Sequence, residues 1–425
     1  MPDGSSTAHL YRPKLATTFA EGYGLAAFRK DAVAGLTVAV VALPLSMAIA
    51  VASGVTPERG LITAIVGGFI VSALGGSRWQ IGGPAGAFIV LVSATVTRHG
   101  LDGLLVAVFL SGLMIAAIGA LRLGRFIRYM PHAVTVGFTG GIAVVIAASQ
   151  LKDLGGLTLT GAEPGPIVSK LAALAQALPS FTPAALALGT ATAASIFLMR
   201  WRWPAMPGIL IAVIFASATA ALLKLPVETI GSHFGGVPSG VSLPRWPDLA
   251  TAKIIEMLPA ALSFTLLGGI ESLLSAKVAD AMTGRKHRYN MELVAQGVAN
   301  VASACFGGIS VTGTIARTAT NIRAGAKSPI AGILHAAFLL VFILVAAPLA
   351  NYIPLAALAG VLIVVCWSMA EKAEFVRLLK HWQSAAVLLA TFLLTVLVDL
   401  TVGIAAGCAI AALLAITGCA LKSDA

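Results

Sequence analysis

Gly82-Gly83-Pro84-Ala85-Gly86-Ala87-Phe88 opens a short apolar segment at residues 83–97, and Gly307-Gly308-Ile309-Ser310-Val311-Thr312-Gly313-Thr314 opens another at 310–322. Both are too short for a spanning helix, which needs about 20 apolar residues. Each reads as extended chain feeding a helix that starts near the middle of a membrane. Irregular backbone at that depth is tolerated only against protein or a water-filled cavity. Pro84 suits the first helical turn, where its missing N–H is no loss. The glycines let backbone and ligand approach closely.

The rest of the chain agrees with a membrane setting. Of 425 residues, 58% are hydrophobic and 11% charged, with a mean hydropathy of +0.94; soluble domains carry roughly 25% charged residues. Long apolar stretches fall near 32–53, 59–76, 101–121, 131–150, 182–200, 207–223, 256–279, 291–306, 329–349, 353–370, 384–399 and 401–420. With the two short ones they predict an all-α polytopic membrane protein of fourteen segments. One transmembrane domain occupies 32–421, after an N-terminal segment 1–31. An amphipathic stretch at 15–28 lacks the apolar core and cleavage site of a signal peptide.

Charge fixes an orientation. Twenty of the 28 Lys and Arg residues fall on the side of the N-terminus and seven on the other, with Arg317 inside the membrane. That asymmetry predicts both termini in the cytoplasm of a bacterial-type inner membrane. The net charge of +11 is scattered at segment ends, which argues against nucleic acid as a partner.

The chain also repeats itself. Tyr129-Met130-Pro131-His132-Ala133 leading to Gly137 recurs as Tyr352-Ile353-Pro354-Leu355-Ala356 leading to Gly360, at an offset of 223. The pairs Gly82-Gly83 and Gly307-Gly308 recur at 225. These marks predict two halves, about 32–225 and 250–421, of seven elements each. An odd number per half inverts the second half.

In transporters built this way, short interrupted segments at matching positions point to the binding site. Two facing helix N-termini present free N–H groups and about half a positive charge each, which attracts an anion. Arg317 lies three residues after Thr314, on the same helical face. An arginine at that depth costs at least about 2.5 kcal/mol. It takes a carboxylate, carbonyls or a bound anion, unless it snorkels to the interface. Ser310, Thr312 and Thr314 either donate hydroxyl hydrogen bonds to a ligand or cap the helix.

Glu271 is read as the one acidic residue deep within a long apolar segment, a functional candidate by default. It carries a coupling proton, pairs with Arg317, holds a cation with Ser275 one turn on, or accepts hydrogen bonds from a broken helix. Asp280, Asp399 and Glu256 sit at segment ends and read as solvated. There is no Walker loop, HExxH or GxSxG. His132, His287 and His335 each stand alone, and Cys305, Cys366, Cys408 and Cys419 form no CxxC or Cys/His cluster. Neither an enzyme, an ATP-driven pump, a metal site nor a cofactor is indicated.

Several of these stretches carry a resemblance. Ala42-Leu43-Pro44-Leu45-Ser46-Met47-Ala48, Gly75-Gly76-Ser77-Arg78-Trp79-Gln80-Ile81-Gly82-Gly83-Pro84, Glu271-Ser272-Leu273-Leu274-Ser275-Ala276 with Val278-Ala279-Asp280, and Gly307-Gly308 through Ala316-Arg317-Thr318 resemble the sulfate permease (SulP) family of anion transporters. The resemblance runs from Gly35 to the last segment. It implies a core domain, segments 1–4 and 8–11, moving against a gate domain, segments 5–7 and 12–14, usually in a homodimer. By position, Pro84, Ala85, Gly86 and Ala87 line the substrate site from segment 3. Gly313, Thr314 and Ile315 line it from segment 10, with Arg317 behind.

Departures from the family pattern are specific. Many sulfate-type members have glutamine where this chain has Leu45, and members using sodium with bicarbonate have aspartate at Glu271. A STAS domain normally follows segment 14, and the sequence ends at Ala425 without one. The expected function is secondary active transport of a small anion of the sulfate, bicarbonate or dicarboxylate class, coupled to H+ or Na+ or run as exchange. The alternatives are a nucleobase permease of the same fold and an uncoupled anion channel.

Overall fold

The computed structural model describes residues 11–417 except 124–130, 162, 165–166, 205, 242 and 399. A short helix α1 (Lys14–Ala20) precedes α2 (Leu25–Ala52), α3 (Pro57–Leu74), the two-residue strand β1 (Gly82–Gly83) and α4 (Gly86–Ala120). Then come α5 (His132–Gly155), α6 (Ile167–Gln176), α7 (Pro183–Arg202), α8 (Gly208–Leu222), α9 (Thr251–Thr283) and α10 (Tyr289–Cys305). Strand β2 (Thr312–Gly313), α11 (Ile315–Arg323), α12 (Ile330–Val345), α13 (Leu355–Met369), α14 (Trp382–Leu397) and α15 (Leu400–Ile416) follow. Among the described residues, seven helical stretches are long and apolar enough to cross a membrane: α2, α3, α4, α5, α7, α9 and Leu355–Leu378.

Several boundaries differ from the sequence reading. Helix α2 starts at Leu25, inside the expected N-terminal segment, so the amphipathic stretch 15–28 is divided between α1 and α2. Asp31 is buried there: its carboxylate accepts from Tyr23 Oη at 2.8 Å, from the N–H groups of Lys327 and Ser328 at 2.6 and 3.2 Å, and from the Ser328 hydroxyl. The short segment 83–97 and the segment 101–121 run together as α4, turning at Gly100, whose φ of 68° suits glycine.

Of the two repeat marks, one finds matching backbone. Pro131 and Pro354 precede α5 and α13 in the same N-cap position, with φ/ψ of −62/137° and −70/139°; Tyr129 lies outside the described residues. The glycine mark shifts. Gly307 turns the chain at the end of α10 with φ 75°, and the strand that pairs with Gly82–Gly83 is Thr312–Gly313.

Helices pack in two sets. Helix α4 lies against α9 and α10 and α2 against α12, while α5 lies against α13 and α14, and α13 against α7. Lipid tails are as apolar as leucine, so small residues that admit close contact drive such packing. A Cβ at Gly297 of α10 would lie 2.5 Å from the Gly112 carbonyl of α4, and one at Gly360 of α13 would lie 2.4 Å from the Gly189 carbonyl of α7. The sets meet where α2 packs on α13 and α8.

The non-helical chain between α10 and α11 is buried, so its polar backbone groups need partners inside the protein. One face of α10 supplies them, at the three- and four-residue spacing that places side chains one above another. Asn300 Oδ1 accepts from the Val311 N–H at 2.9 Å, and its Nδ2 donates to the Val311 carbonyl at 2.8 Å. The Ser303 hydroxyl donates to the Ile309 carbonyl at 2.7 Å, and the Ile309 N–H donates to Thr63 Oγ1 at 2.7 Å. Glu292 Oε2 accepts from the Ser77 N–H at 2.9 Å, in the approach to β1. Glu292, Gln296, Asn300 and Ser303 are all fully buried. Glu271 is therefore not the one deep carboxylate: Glu292 and Asp31 are buried too, and both are bonded to backbone.

Replacing Asn300 with Leu leaves both Val311 backbone groups without that partner, at about 1–3 kcal/mol each. Its thermal unfolding in detergent is expected well below wild type; an unchanged midpoint would show that the stripe is not what holds the segment.

Candidate functional site

Strands β1 and β2 form an antiparallel pair, Gly82 opposite Gly313 and Gly83 opposite Thr312. The pair is extended by the Thr314 N–H donating to the Ile81 carbonyl at 3.1 Å and the Ile81 N–H donating to Thr318 Oγ1 at 3.2 Å. Each strand runs into a helix. Ala85 is the extended residue ahead of α4 and Thr314 the one ahead of α11, and neither makes a side-chain cap hydrogen bond. Two helix N-termini thus start beside one buried ladder with N–H groups uncapped by side chains. Pro84 is not in the first helical turn as expected; it lies between β1 and Ala85, the extended residue ahead of α4.

Arg317 lies between these elements and is 1% exposed. Its Nη2 donates to Ser46 Oγ of α2 at 3.2 Å and to the Pro84 carbonyl at 3.3 Å. Nε and Nη1 have no partner among the described residues. A Cβ at position 83 would lie 2.2 Å from Nη1, so glycine is required where the guanidinium rests on the strand. Two readings fall: Arg317 does not snorkel, since it is buried, and it forms no ion pair with Glu271 or another carboxylate among the described residues.

The other expected site residues divide. Ala85, Gly86, Ala87, Thr314 and Ile315 stand at the two helix starts, Gly86 and Ile315 partly exposed, and Leu45 adjoins Ser46 on α2. Ser310 and Thr312 are held elsewhere: the Ser310 hydroxyl donates to Asn300 Oδ1 at 3.1 Å, and the Thr312 hydroxyl bonds Ser272 Oγ at 2.9 Å. Neither caps a helix, and Thr314 Oγ1 donates to the Ile81 carbonyl at 3.4 Å. Gly313 faces Gln80, whose Nε2 would lie 1.7 Å from a Cβ there. Its missing side chain makes room for Gln80, not for a ligand.

Glu271 on α9 is half-buried, with Oε2 buried and unpartnered among the described residues. The Ser275 hydroxyl, one turn on, donates to Thr318 Oγ1 at 3.3 Å. Groups of three or more His, Cys, Asp or Glu that could hold a metal ion are absent among the described residues. Two histidines are not alone: Nδ1 of His287 bonds Asp280 at 2.7 Å, which is therefore not simply solvated, and Nε2 of His132 approaches Glu374 at 3.4 Å. His335 is fully buried with both ring nitrogens unpartnered among the described residues. Asp399 lies outside them.

The wall opposite Gly86 comes from the second set of helices. A Cβ at Gly86 would lie 3.3 Å from Met369 Sδ, at the end of α13, and 3.9 Å from Ile146 Cδ1 of α5. Nothing in the local sequence marks either residue. Ser46 and Gln80, by contrast, sit inside stretches already singled out.

Residues 28–395 match the profile of the Sulfate permease family. The chain belongs to that family. YvdB of Bacillus subtilis (strain 168), named provisionally as a sulfate transporter, is 42% identical over 390 residues, 91% of this chain and 73% of that protein. The bicarbonate transporter BicA of a Picosynechococcus species is 32% identical over 403 residues, 91% of this chain and 70% of its own. The solved transmembrane domain of a cyanobacterial bicarbonate transporter BicA superposes with a TM-score of 0.81 at 31% identity, covering 90% of this chain and 98% of that one. The structure of SLC26A9 gives 0.88 at 18% identity, over 97% of this chain and 69% of that one, a likeness of fold. As a member of the sulfate permease family the protein is a multi-pass membrane transporter, not an enzyme.

The two glycines at the site separate structure from transport. Gly313→Ala collides with Gln80 and is expected to lower the unfolding temperature, whereas Gly86→Ala presses on the flexible Met369 thioether and is expected to fold normally but transport poorly. Uptake measured beside thermal unfolding checks this; the reverse pattern would place the ligand space against Gly313.

Proposed function

We propose that the protein carries a small anion of the sulfate, bicarbonate or dicarboxylate class across the inner membrane by alternating access. The carrying observation is the Arg317 guanidinium, fully buried with two donor nitrogens unused beside two uncapped helix starts. An unpaired cation in such surroundings is stabilised by an anion accepting from those donors and from the N–H groups at the start of α4. The printed names of the relatives, sulfate for one and bicarbonate for another, support the anion class.

On this reading the chain makes fourteen crossings as two inverted repeats with both termini cytoplasmic. The set α2–α4 with α9–α12 carries the anion, and the set α5, α7, α8 and α13–α15 forms the gate. Met369 closes the space before Gly86, and sliding of the sets at α2 and α13 opens it to one side or the other. Glu271, the unpartnered carboxylate on the carrying set, binds the coupling proton.

Proteoliposome uptake of labelled sulfate, bicarbonate, dicarboxylates and nucleobases, with pH, sodium or no gradient, tests the proposal. Wild type is expected to take up an anion and to concentrate it with a pH gradient. Arg317→Ala is expected to lose at least about tenfold in uptake, the worth of one charge-assisted hydrogen bond. Glu271→Gln is expected to keep anion exchange but lose accumulation. Nucleobase uptake, or full accumulation by the glutamine variant, would contradict the corresponding part.

A further inference from the structure

A second positively charged site lies away from the transport path, where α1, the turn after α3 and the turn between α9 and α10 come together. A cleft of about 10 Å³ is lined there by Lys14, Arg78, Arg285, Lys286 and His287, with Asp280 as its acidic member. Two of its polar groups are more than nine-tenths buried and unused: Arg78 Nε and His287 Nε2 have no partner among the described residues. They are not free for want of order. Arg78 Nη2 is paired with Glu21, and His287 Nδ1 is fixed by Asp280 at 2.7 Å. The Arg78 Nε–H donor is therefore aimed by the pairing of Nη2 with Glu21, which pre-sets it for an anion at little further entropic cost.

The local charges do not balance. Asp280 is engaged by His287, and Glu21 serves both Arg78 and Arg285, the latter at 3.8 Å. Lys14 and Lys286 add two further cations, with Lys14 Nζ donating to the Lys286 carbonyl at 3.1 Å. Arg288 stands behind, donating to the Arg12 carbonyl at 2.6 Å. Burial, then the charges of Arg288 and Arg78, lowers the Lys14 ammonium from its ordinary pKa, as expected of cations crowded within a Debye length.

A cleft of this size admits one atom about as large as a water. One oxygen of a tetrahedral oxyanion fits within it, leaving the other oxygens at the mouth beside Arg285 and Lys286, both exposed. The flank is apolar and open: Phe19, Leu25 and Phe28 are 59%, 65% and 42% exposed on α1 and the start of α2. An amphipathic helix of that kind lies in the headgroup region with its apolar side against acyl chains.

We propose that this cleft binds a phosphate group, supplied by the headgroup of an anionic phospholipid. The turn it rests on leads through Gln80 and Ile81 into β1, and Lys14 N–H is bonded to the Gly75 carbonyl at 2.9 Å. A bound headgroup therefore clamps α1 to the chain that enters the transport site.

The test titrates the purified full chain in micelles with phosphatidylglycerol, phosphatidylcholine and inorganic phosphate, reading thermal unfolding and lipid adducts by native mass spectrometry. Phosphatidylglycerol is expected to bind and stabilise, and phosphatidylcholine to bind at least about tenfold more weakly. The double variant Arg285→Gln, Lys286→Gln changes only exposed side chains in a turn. It is expected to unfold at the wild-type temperature without lipid and to bind phosphatidylglycerol about tenfold more weakly, as the loss of one charge-assisted contact predicts. A second variant, Arg78→Lys, keeps the charge but loses the Nε donor and is expected to show the same weakening. Stabilisation by inorganic phosphate without phosphatidylglycerol binding would overturn the lipid as source. Binding of both probes unaltered by either variant would overturn the site.

Discussion

Everything about the centre of this protein follows from placing non-helical backbone where no water reaches it. Residues 81–85 and 309–314 leave helical geometry inside the protein, and each orphaned N–H or C=O in such a place costs several kcal/mol. The chain meets that cost in two ways. The strands bond to each other, Gly82 to Gly313 and Gly83 to Thr312, and side chains from neighbouring helices take the rest. Asn300 imitates a third strand toward Val311, Thr63 and Ser303 hold Ile309, and Glu292 holds Ser77. A helix such as α10 is consequently polar along one face although it lies within an apolar protein.

Beside this bonded backbone lies Arg317, a cation that is 1% exposed. It occupies the space Gly83 leaves, is bonded through one nitrogen to Ser46 and Pro84, and keeps Nε and Nη1 unused among the described residues. A structural arginine would have its donors consumed, as the hydroxyls of Ser310, Thr312 and Ser275 are consumed nearby. The two hydrogen bonds it makes, to Ser46 Oγ and the Pro84 carbonyl, both come from Nη2 and go to neutral oxygens, so neither balances its charge. The remaining donors, set beside the starts of α4 and α11, are what an anion would use.

Much of this frame was legible in the sequence because its devices are local. Glycine and proline punctuation at 82–86 and 307–313 announced broken segments, and an arginine within an apolar run announced Arg317. What failed was tertiary. Gly313 read as room for a ligand but makes room for Gln80, 233 residues away in sequence. Ser310 and Thr312 read as ligand donors, yet whether a hydroxyl is free depends on partners such as Asn300 and Ser272 on other helices. Glu292 sits near the start of an apolar stretch, where a carboxylate looks solvated; its burial depends on Gly76 and Ser77 folding over it. Met369 and Ile146 carry no signal at all, since an apolar gate residue is indistinguishable from core.

The central claim is that the unused donors of Arg317 are the receptor for the transported anion. The most direct measurement is an experimental structure with that anion bound, in a form carrying an anomalous scatterer such as selenium. The account predicts density for the anion within about 3 Å of Arg317 Nε or Nη1, next to the N–H groups at the start of α4. Density for the anion elsewhere in the molecule, with those two nitrogens bonded to protein atoms, would contradict it.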